Sequence, residues 1–195
     1  FRRDFIDGLK DLGMPACRLP GGNFVSCWDW KDSIGPKSER KVHLDMAWHQ
    51  YITNEVGHDE YLKWAELVNT EPMYTVNLGT GSAKDVIDLV EYTNHEGGTY
   101  WSDLRRKNGH EKPYGVKTWY LGNEMDGPWQ LGSWDKDPRG YGVTVNELSK
   151  AIKWIDGSIE TAVCGSSAPF MAHWPQWDQD VLEPVSYTHL TLPTK

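Results

Sequence analysis

Strand-like and helical segments alternate four times along this 195-residue chain, which predicts an α/β fold with a parallel sheet. A doubly wound sheet and a (β/α)8 TIM barrel both fit this alternation. No GxGxxG motif follows the first strand, which weakens the dinucleotide-binding sheet. Every predicted strand ends in polar or glycine-rich sequence, where barrel enzymes place their chemistry. We therefore predict a partial TIM barrel with about half of its strands. Because a half-barrel leaves two open edges, we expect the chain to be a piece of a larger protein.

The helices are predicted from apolar residues at helical spacing. In the first, over residues 2–12, Phe5, Leu9 and Leu12 share one face, and Gly13 stands where a C-terminal stop belongs. Three further helices follow from the same periodicity, over residues 58–69, 83–94 and 145–156. Ser82 or a neighbour is the predicted N-cap of the third helix.

The predicted strands lie between these helices. In chain order, their sequences are MPACRLPGGNF, EPMYTVNLGTGS, KTWYLGNEM and IETAVCGSS. A long, polar, tryptophan-bearing segment, residues 25–57, separates the first strand from the second helix. Segments of that length are usually functional or disordered, and the aromatic residues argue against disorder.

Composition excludes several classes of function. The formal charge of −8 argues against nucleic acid or an anionic membrane as a partner, and no apolar stretch approaches the length of a membrane span. Three cysteines without a CxxC motif suggest neither a disulfide framework nor a zinc site, so the cytoplasm is the default compartment. The seven histidines form no HExxH pair, so we expect no metal site. The amphipathic N-terminus lacks an initiator Met, so we expect the chain to begin within a longer protein.

Asn123 and Glu124 place an amide and a carboxylate at the end of an apolar strand, within the segment KTWYLGNEMDGPW. A buried carboxylate is costly when isolated, so such a group is usually paired, exposed in a cleft or catalytic. Cleavage of a glycosidic bond needs a carboxylic acid that protonates the leaving oxygen, and Glu124 suits that role. The structural alternative is a Glu that pairs with an Arg or caps the next helix.

Arg18 and Asn23 flank the Pro-Gly-Gly turn after the first strand. Arg18 suits a group that holds an active-site carboxylate in place, with an ordinary ion pair at the barrel rim as the alternative. Gly21 and Gly22 permit close approach of the backbone, so Asn23 can be directed towards a ligand.

Two other motifs have plainer explanations. Asp126 lies in the sequence MDGP, where we predict an Asx-type turn. The sequence NLGTGS, residues 77–82, is of the kind that binds anions before a helix, but it lacks the Lys-Ser/Thr of a P-loop. We therefore predict a turn followed by a helix cap.

Eleven tryptophans are unusually many for a chain of this length. Those in predicted strand-end loops are Trp28, Trp30, Trp48, Trp129 and Trp134. For this loop group, stacking on the apolar face of a sugar and packing beneath a loop are equal alternatives. Trp64 and Trp154 lie on predicted helices, where we predict that they pack into the core.

Taken together, these segments resemble glycoside hydrolase family 51, the α-L-arabinofuranosidases. The likeness covers residues 1–184 in the family's order, through RLPGGNFVSCWDWKDSIGPKSER, LDMAWHQYITNEVGHDEYLKWA, NLGTGSAKDVIDLVEYTNH, YWSDLRRKNGH, KTWYLGNEMDGPWQLG and VCGSS. The resemblance implies that residues 1–184 are part of a TIM-barrel catalytic domain. It also implies retaining, exo-acting hydrolysis of terminal non-reducing α-L-arabinofuranosyl residues of arabinan, arabinoxylan or arabino-oligosaccharides, without a cofactor.

The resemblance also assigns roles to individual residues. Glu124 matches the acid/base, and Asn123 matches an Asn that hydrogen-bonds the sugar 2-hydroxyl. Arg18 matches an Arg that orients the nucleophile, Asn23 an Asn that lines the sugar subsite, and Trp48 a loop Trp that borders the pocket. Family members are often oligomeric, which implies a homo-oligomeric parent protein.

Two family carboxylates have no counterpart in the chain. The family's nucleophile is a Glu on a later strand, and a substrate-binding Glu lies on the first strand ahead of Phe1. We therefore expect the chain to be inactive by itself on aryl α-L-arabinofuranosides. Residues 185–195 do not continue the family pattern, and we expect a foreign origin for this tail, with an ordinary loop as the alternative.

Two other functions remain open at this point. One is another retaining barrel glycosidase of the endoglucanase type, which shares the Asn-Glu strand end; a deep pocket built by residues 24–57 would favour exo-action over it. The other is a non-catalytic sugar-binding module that uses the loop tryptophans.

Overall fold

Four strands form a single parallel sheet in a computed structural model that describes residues 1–185. They are β1 (Ala16–Leu19), β4 (Glu71–Thr75), β5 (Thr118–Leu121) and β6 (Glu160–Val163), and their spatial order β1-β4-β5-β6 is their order along the chain. A doubly wound sheet reverses its strand order at a switch point, whereas a barrel adds each strand beside the last. The unreversed order therefore agrees with the predicted partial barrel.

Within the described residues, six α-helices and one small hairpin accompany the sheet. The helices are α1 (Arg3–Leu12), α2 (His58–Val68), α3 (Ala83–Asn94), α4 (Tyr100–Lys107), α5 (Pro138–Ile155) and α6 (Gln176–Leu182). The hairpin pairs β2 (His43–Leu44) with β3 (Tyr51–Ile52) in antiparallel register. Within residues 1–185, every helix is too short or too polar to cross a lipid bilayer. The predicted foreign tail, apart from Val185, lies outside the described residues.

The first three predicted helices are confirmed to within two residues at each end, and the fourth is longer than predicted. Helix α5 begins at Pro138 rather than at residue 145, because Asp137 caps it through a 2.9 Å hydrogen bond from the Gly140 N–H. A proline at the first helical position is also favourable. Helices α4 and α6 were not predicted.

The turn-and-cap interpretation of NLGTGS is confirmed. The Asn77 side-chain oxygen accepts the N–H groups of Gly79 and Thr80 at 3.0 Å each. Ser82 then caps α3, with its hydroxyl accepting the Asp85 N–H at 3.2 Å while the Asp85 carboxylate accepts the Ser82 N–H at 2.9 Å. This reciprocal capping box fixes the start of α3.

The long segment 25–57 is ordered by its tryptophans. Trp28 and Trp30 are buried, and their indole N–H groups donate to Asn54 Oδ1 at 2.9 Å and to the Asp85 carbonyl at 3.1 Å. For these two residues, packing is therefore the correct alternative. Three short 3-10 helices, at Asn23–Cys27, Trp30–Ser33 and Lys37–Glu39, carry the chain between these anchors and the hairpin.

The other tryptophans singled out from the sequence divide into packed and exposed groups. Trp64 and Trp134 are partly buried against the core, as predicted for Trp64. The prediction for Trp154 is wrong, because its side chain is 85% exposed on α5. Helical spacing does not by itself show whether a neighbouring element covers that face. Trp48 and Trp129 are both more than half exposed.

The first turn of α2 joins several elements through buried polar groups. The His58 ring contacts Tyr74 Oη on β4 at 2.7 Å and Thr93 Oγ1 on α3 at 3.0 Å. The neighbouring Asp59 carboxylate accepts the hydroxyls of Tyr92 at 2.9 Å and Tyr114 at 2.8 Å. Burial lowers the pKa of His58 to about 4, so its ring is neutral at pH 7.

Candidate active site

The carboxyl ends of β1 and β5 bring three of the predicted site residues into one hydrogen-bonded chain. Arg18 Nη2 donates to Asn123 Oδ1 at 2.6 Å, and Asn123 Nδ2 donates to Asn23 Oδ1 at 2.7 Å. β4 lies between these two strands in the sheet, so the side chains meet above the strand ends. Their convergence is what a parallel arrangement predicts for residues that follow neighbouring strands.

Arg18 determines which way the Asn123 amide faces. A guanidinium has only donors, so the amide oxygen must point at it and the amide nitrogen must point away. Asn123 is 4% exposed, which holds the amide in that orientation. The Arg18 guanidinium also lies 5.5 Å from the centroid of the ring of Tyr120, a half-buried residue of β5. The cation is thus fixed from two sides without an acidic partner among residues 1–185.

Glu124 leaves the strand in an unusual backbone conformation. Its φ is 46°, in the left-handed region that residues other than glycine rarely adopt. Gly122, two residues earlier, has φ 101°, and a Cβ there would lie 2.7 Å from Met125 Cγ, so that position requires glycine. Strain of this kind is often found at functional sites, where the surrounding structure holds it in place.

The Glu124 side chain is exposed and has one hydrogen-bond partner in the described part of the chain. Its Oε2 atom accepts the indole N–H of Trp129 at 2.9 Å. The other carboxylate oxygen is open to solvent or to a ligand. Glu124 therefore lies at the strand-end edge beside Asn123, outside the packed interior, and it is not paired with an arginine among residues 1–185.

Trp48 is not joined to these residues. It lies in the turn between β2 and β3, with its backbone N–H 3.1 Å from Asp45 Oδ1, and its ring is 63% exposed. Within residues 1–185, neither a hydrogen bond nor a ring contact links it to Arg18, Asn23, Asn123 or Glu124. Four of the five predicted site residues are thus adjacent, and the fifth lies apart on the hairpin.

Asp126 corrects the prediction of an Asx-type turn. Its carboxylate is completely buried and accepts the Ser167 N–H at 2.7 Å and the Ser167 hydroxyl. The Ser166 hydroxyl lies 3.4 Å away and His173 Nε2 lies 3.2 Å away. The carboxylate therefore ties the loop after β5 to the loop after β6. Because all these contacts are with residues distant in the sequence, local turn chemistry could not reveal them.

The arrangement supports proton transfer by a single carboxylate. Glu124 is open on one side, and Asp126 is fully engaged by donors, so it cannot serve as a second reactive acid. No cluster of three or more His, Cys, Asp or Glu side chains suited to a metal ion occurs in the described residues, 1–185.

Comparison with known proteins gives the same family from sequence and from structure. A family model described as the α-L-arabinofuranosidase 1 domain matches residues 8–188. The chain is 50% identical over 190 residues to intracellular exo-α-(1→5)-L-arabinofuranosidase 1 of Bacillus subtilis, covering 97% of this chain and 37% of that protein. It is 48% identical over 183 residues to the intracellular exo-α-(1→5)-L-arabinofuranosidase of Acetivibrio thermocellus, covering 94% and 36%.

Solved structures superpose on nearly the whole chain. A family 51 α-L-arabinofuranosidase of Bifidobacterium longum matches with a TM-score of 0.88 and 43% identity, covering 93% of this chain and 36% of that one. An arabinose complex of the Thermotoga maritima enzyme matches with a TM-score of 0.90 and 37% identity, covering 98% and 39%. The chain thus spans little more than a third of the length of the relatives that it matches.

Proposed function

Because this chain belongs to the family 51 α-L-arabinofuranosidases, we propose that it supplies the acid/base side of a retaining glycosidase active site. The observation that carries the proposal is the placement of Glu124. Its carboxylate is exposed at the strand-end edge, next to an amide and a guanidinium that are already held in position. Barrel enzymes assemble their catalytic groups at this edge.

Glu124 acts first as an acid and then as a base. It protonates the glycosidic oxygen as the bond to the anomeric carbon breaks, because that oxygen is otherwise a poor leaving group. The resulting carboxylate then takes a proton from the water that releases the sugar from the covalent intermediate. The open side of its carboxylate gives both the leaving group and the water a path to it.

Asn123 offers a sugar hydroxyl a donor rather than an acceptor. Its oxygen is occupied by Arg18, and one amide hydrogen is given to Asn23. The second amide hydrogen remains for a hydroxyl oxygen of the sugar. In this proposal Asn23 lines the same subsite, Arg18 orients the nucleophile, and Trp48 borders the pocket from the hairpin.

The second carboxylate of the reaction comes from outside this chain. A retaining mechanism needs two carboxyl groups about 5–5.5 Å apart, and Asp126 is unavailable because its oxygens are taken by Ser167. We propose that the nucleophile belongs to the part of the family's barrel that this chain does not contain. The isolated chain is then inactive, although it carries the acid/base.

The proposed substrates are terminal non-reducing α-L-arabinofuranosyl residues of arabinan, arabinoxylan or arabino-oligosaccharides. The Bacillus subtilis and Acetivibrio thermocellus relatives are among those named as exo-acting on α-(1→5) linkages, and one relative from Bifidobacterium longum is named as exo-acting on α-(1→6) linkages. The names of the first two include the word intracellular, which supports a cytoplasmic location for the parent of this chain. Homo-oligomeric assembly of that parent stays a prediction.

A chimeric enzyme tests the proposal. Residues 1–184 replace the matching segment of the Bacillus subtilis relative, which supplies the rest of the barrel, and hydrolysis of arabino-oligosaccharides is measured by release of arabinose. We expect turnover in the chimera, its loss in Glu124→Gln, and none in the chain alone. Binding of arabinan by a folded chimera without cleavage would instead favour a sugar-binding module, and internal cleavage of a polymer would favour an endoglycosidase.

A further inference from the structure

Trp129 carries the hydrogen bond that the structure gives to the Glu124 carboxylate, at 2.9 Å from Nε1 to Oε2. The ring is 54% exposed, so core packing does not account for its position. A half-exposed tryptophan whose N–H donates to a carboxylate is suited to a site where one side is apolar and the other is polar.

The backbone between these two residues is shaped to receive the ring. A Cβ at Gly127 would lie 2.5 Å from Cε2 of the Trp129 ring and 2.9 Å from its Nε1, so a side chain at that position would displace the indole. Two successive turns fix the segment, through the Gly127 N–H to the Glu124 carbonyl at 2.8 Å and the Gln130 N–H to the Gly127 carbonyl at 3.0 Å. The short distance between the indole and Glu124 is therefore built into the fold.

We propose that Trp129 is a positioning residue that selects which oxygen of Glu124 carries the proton. The inference rests on the proposed function, in which Glu124 is the acid/base. An indole N–H can only donate, so it occupies Oε2 as an acceptor and disfavours a proton there. Protonation is directed to Oε1, the oxygen that is open to the leaving group. The same bond removes rotational freedom that an exposed Glu side chain would otherwise have.

The first test is a spectroscopic signature in the chain itself. Indole Nε1–H resonances are followed by ¹⁵N NMR as the pH is lowered from 7 over the range in which circular dichroism shows a folded chain. We expect the Trp129 resonance to follow a one-proton titration curve and the Trp154 resonance, from an 85% exposed ring, to stay fixed. In Glu124→Gln, the Trp129 resonance should no longer respond to pH. A Trp129 resonance that does not titrate, or that titrates unchanged in Glu124→Gln, would overturn the inference.

The second test measures the order of the Glu124 side chain by ¹³C relaxation. Trp129→Phe should lower these order parameters, whereas the matched control Trp154→Phe should leave them unchanged. Equal order in both variants would refute a positioning role. Neither measurement depends on hydrolysis, so hydrolysis by the chimera with a negative NMR result rejects this inference alone. A positive NMR result with an inactive, folded chimera rejects the proposed function alone.

Discussion

Replacement of Asp126 by alanine should be among the most destabilising single changes in this chain. The carboxylate is completely buried, and Ser167 donates to it with both its backbone N–H, at 2.7 Å, and its hydroxyl. Alanine removes the acceptor and leaves both Ser167 donors without their protein partner.

The expected magnitude follows from these contacts. Hydrogen bonds to a charged group contribute about 1.5–3 kcal/mol each, and the two bonds from Ser167 are the strong ones. The contacts at 3.4 Å from Ser166 and 3.2 Å from His173 are longer and add less. We expect Asp126→Ala to lower the free energy of unfolding by about 3–5 kcal/mol, roughly the sum of the two hydrogen bonds from Ser167. That is a large share of the roughly 5–15 kcal/mol typical of a whole domain.

Urea unfolding followed by tryptophan fluorescence measures this loss. Asp126→Asn keeps an acceptor for the Ser167 N–H, so its cost should be about half as large. The matched control is Asp7→Ala on α1, since Asp7 is exposed and has no ion pair or side-chain hydrogen bond in the described residues; it should change stability by less than about 0.5 kcal/mol. If Asp126→Ala proved no more costly than Asp7→Ala, the link between the two loops would carry no stability and the reasoning would fail.

Three further changes test other parts of the structure. The depressed pKa of His58, about 4 against 6.5 when unfolded, means that the unfolded chain binds more protons between these values, so stability falls as the pH drops. From pH 7 to pH 5 we expect the free energy of unfolding, measured by urea titration, to fall by about 2 kcal/mol. His58→Gln should not show this fall, and an equal fall in both proteins would contradict the reasoning. Gly127→Ala should displace the Trp129 indole and abolish the pH response of its Nε1–H resonance in a folded chain; an unchanged response would show that the ring does not need the space. Ser82→Ala should cost about 1 kcal/mol in urea unfolding and Ser82→Gly only a few tenths, whereas identical costs would argue against the cap.

Local signals account for the elements that the sequence predicts correctly. Helix α3 combines an apolar face with a capping residue, and both signals lie within the helix and the residue before it. Helix α4 is only eight residues long, and its apolar contact with the core comes from Trp101 and Leu104. Its buried residues are Ser102 and Arg105, and the Arg105 guanidinium donates to the backbone carbonyls of Tyr92 at 2.9 Å and His95 at 2.6 Å, along with other carbonyls. A buried cation satisfied by carbonyls is invisible to a hydropathy pattern, because charged residues are ordinarily taken as solvent-facing.

Some of the site residues can likewise be predicted from local sequence, and others depend on contacts with distant residues. That Arg18, Asn23 and Asn123 would meet follows from strand-end placement alone, since parallel strands end at one edge. The environment of Asp126 depends on residues 166–173, which only the completed fold brings close. The sequence places Trp129 in a loop, but only the left-handed turn at Glu124 brings its indole N–H to the Glu124 carboxylate.

The first turn of α2 should open last rather than first. Terminal turns usually fray, because they have few contacts other than their helical hydrogen bonds to hold them in place. Here His58 and Asp59 reach β4, α3 and Tyr114, and the His58 N–H donates to Ser33 Oγ at 3.1 Å. Amide protons in this turn can therefore exchange with solvent only when several elements separate together. The opposite end of the helix, closed at Asn69 by backbone bonds to Ala65 and Glu66, can unwind without disturbing them.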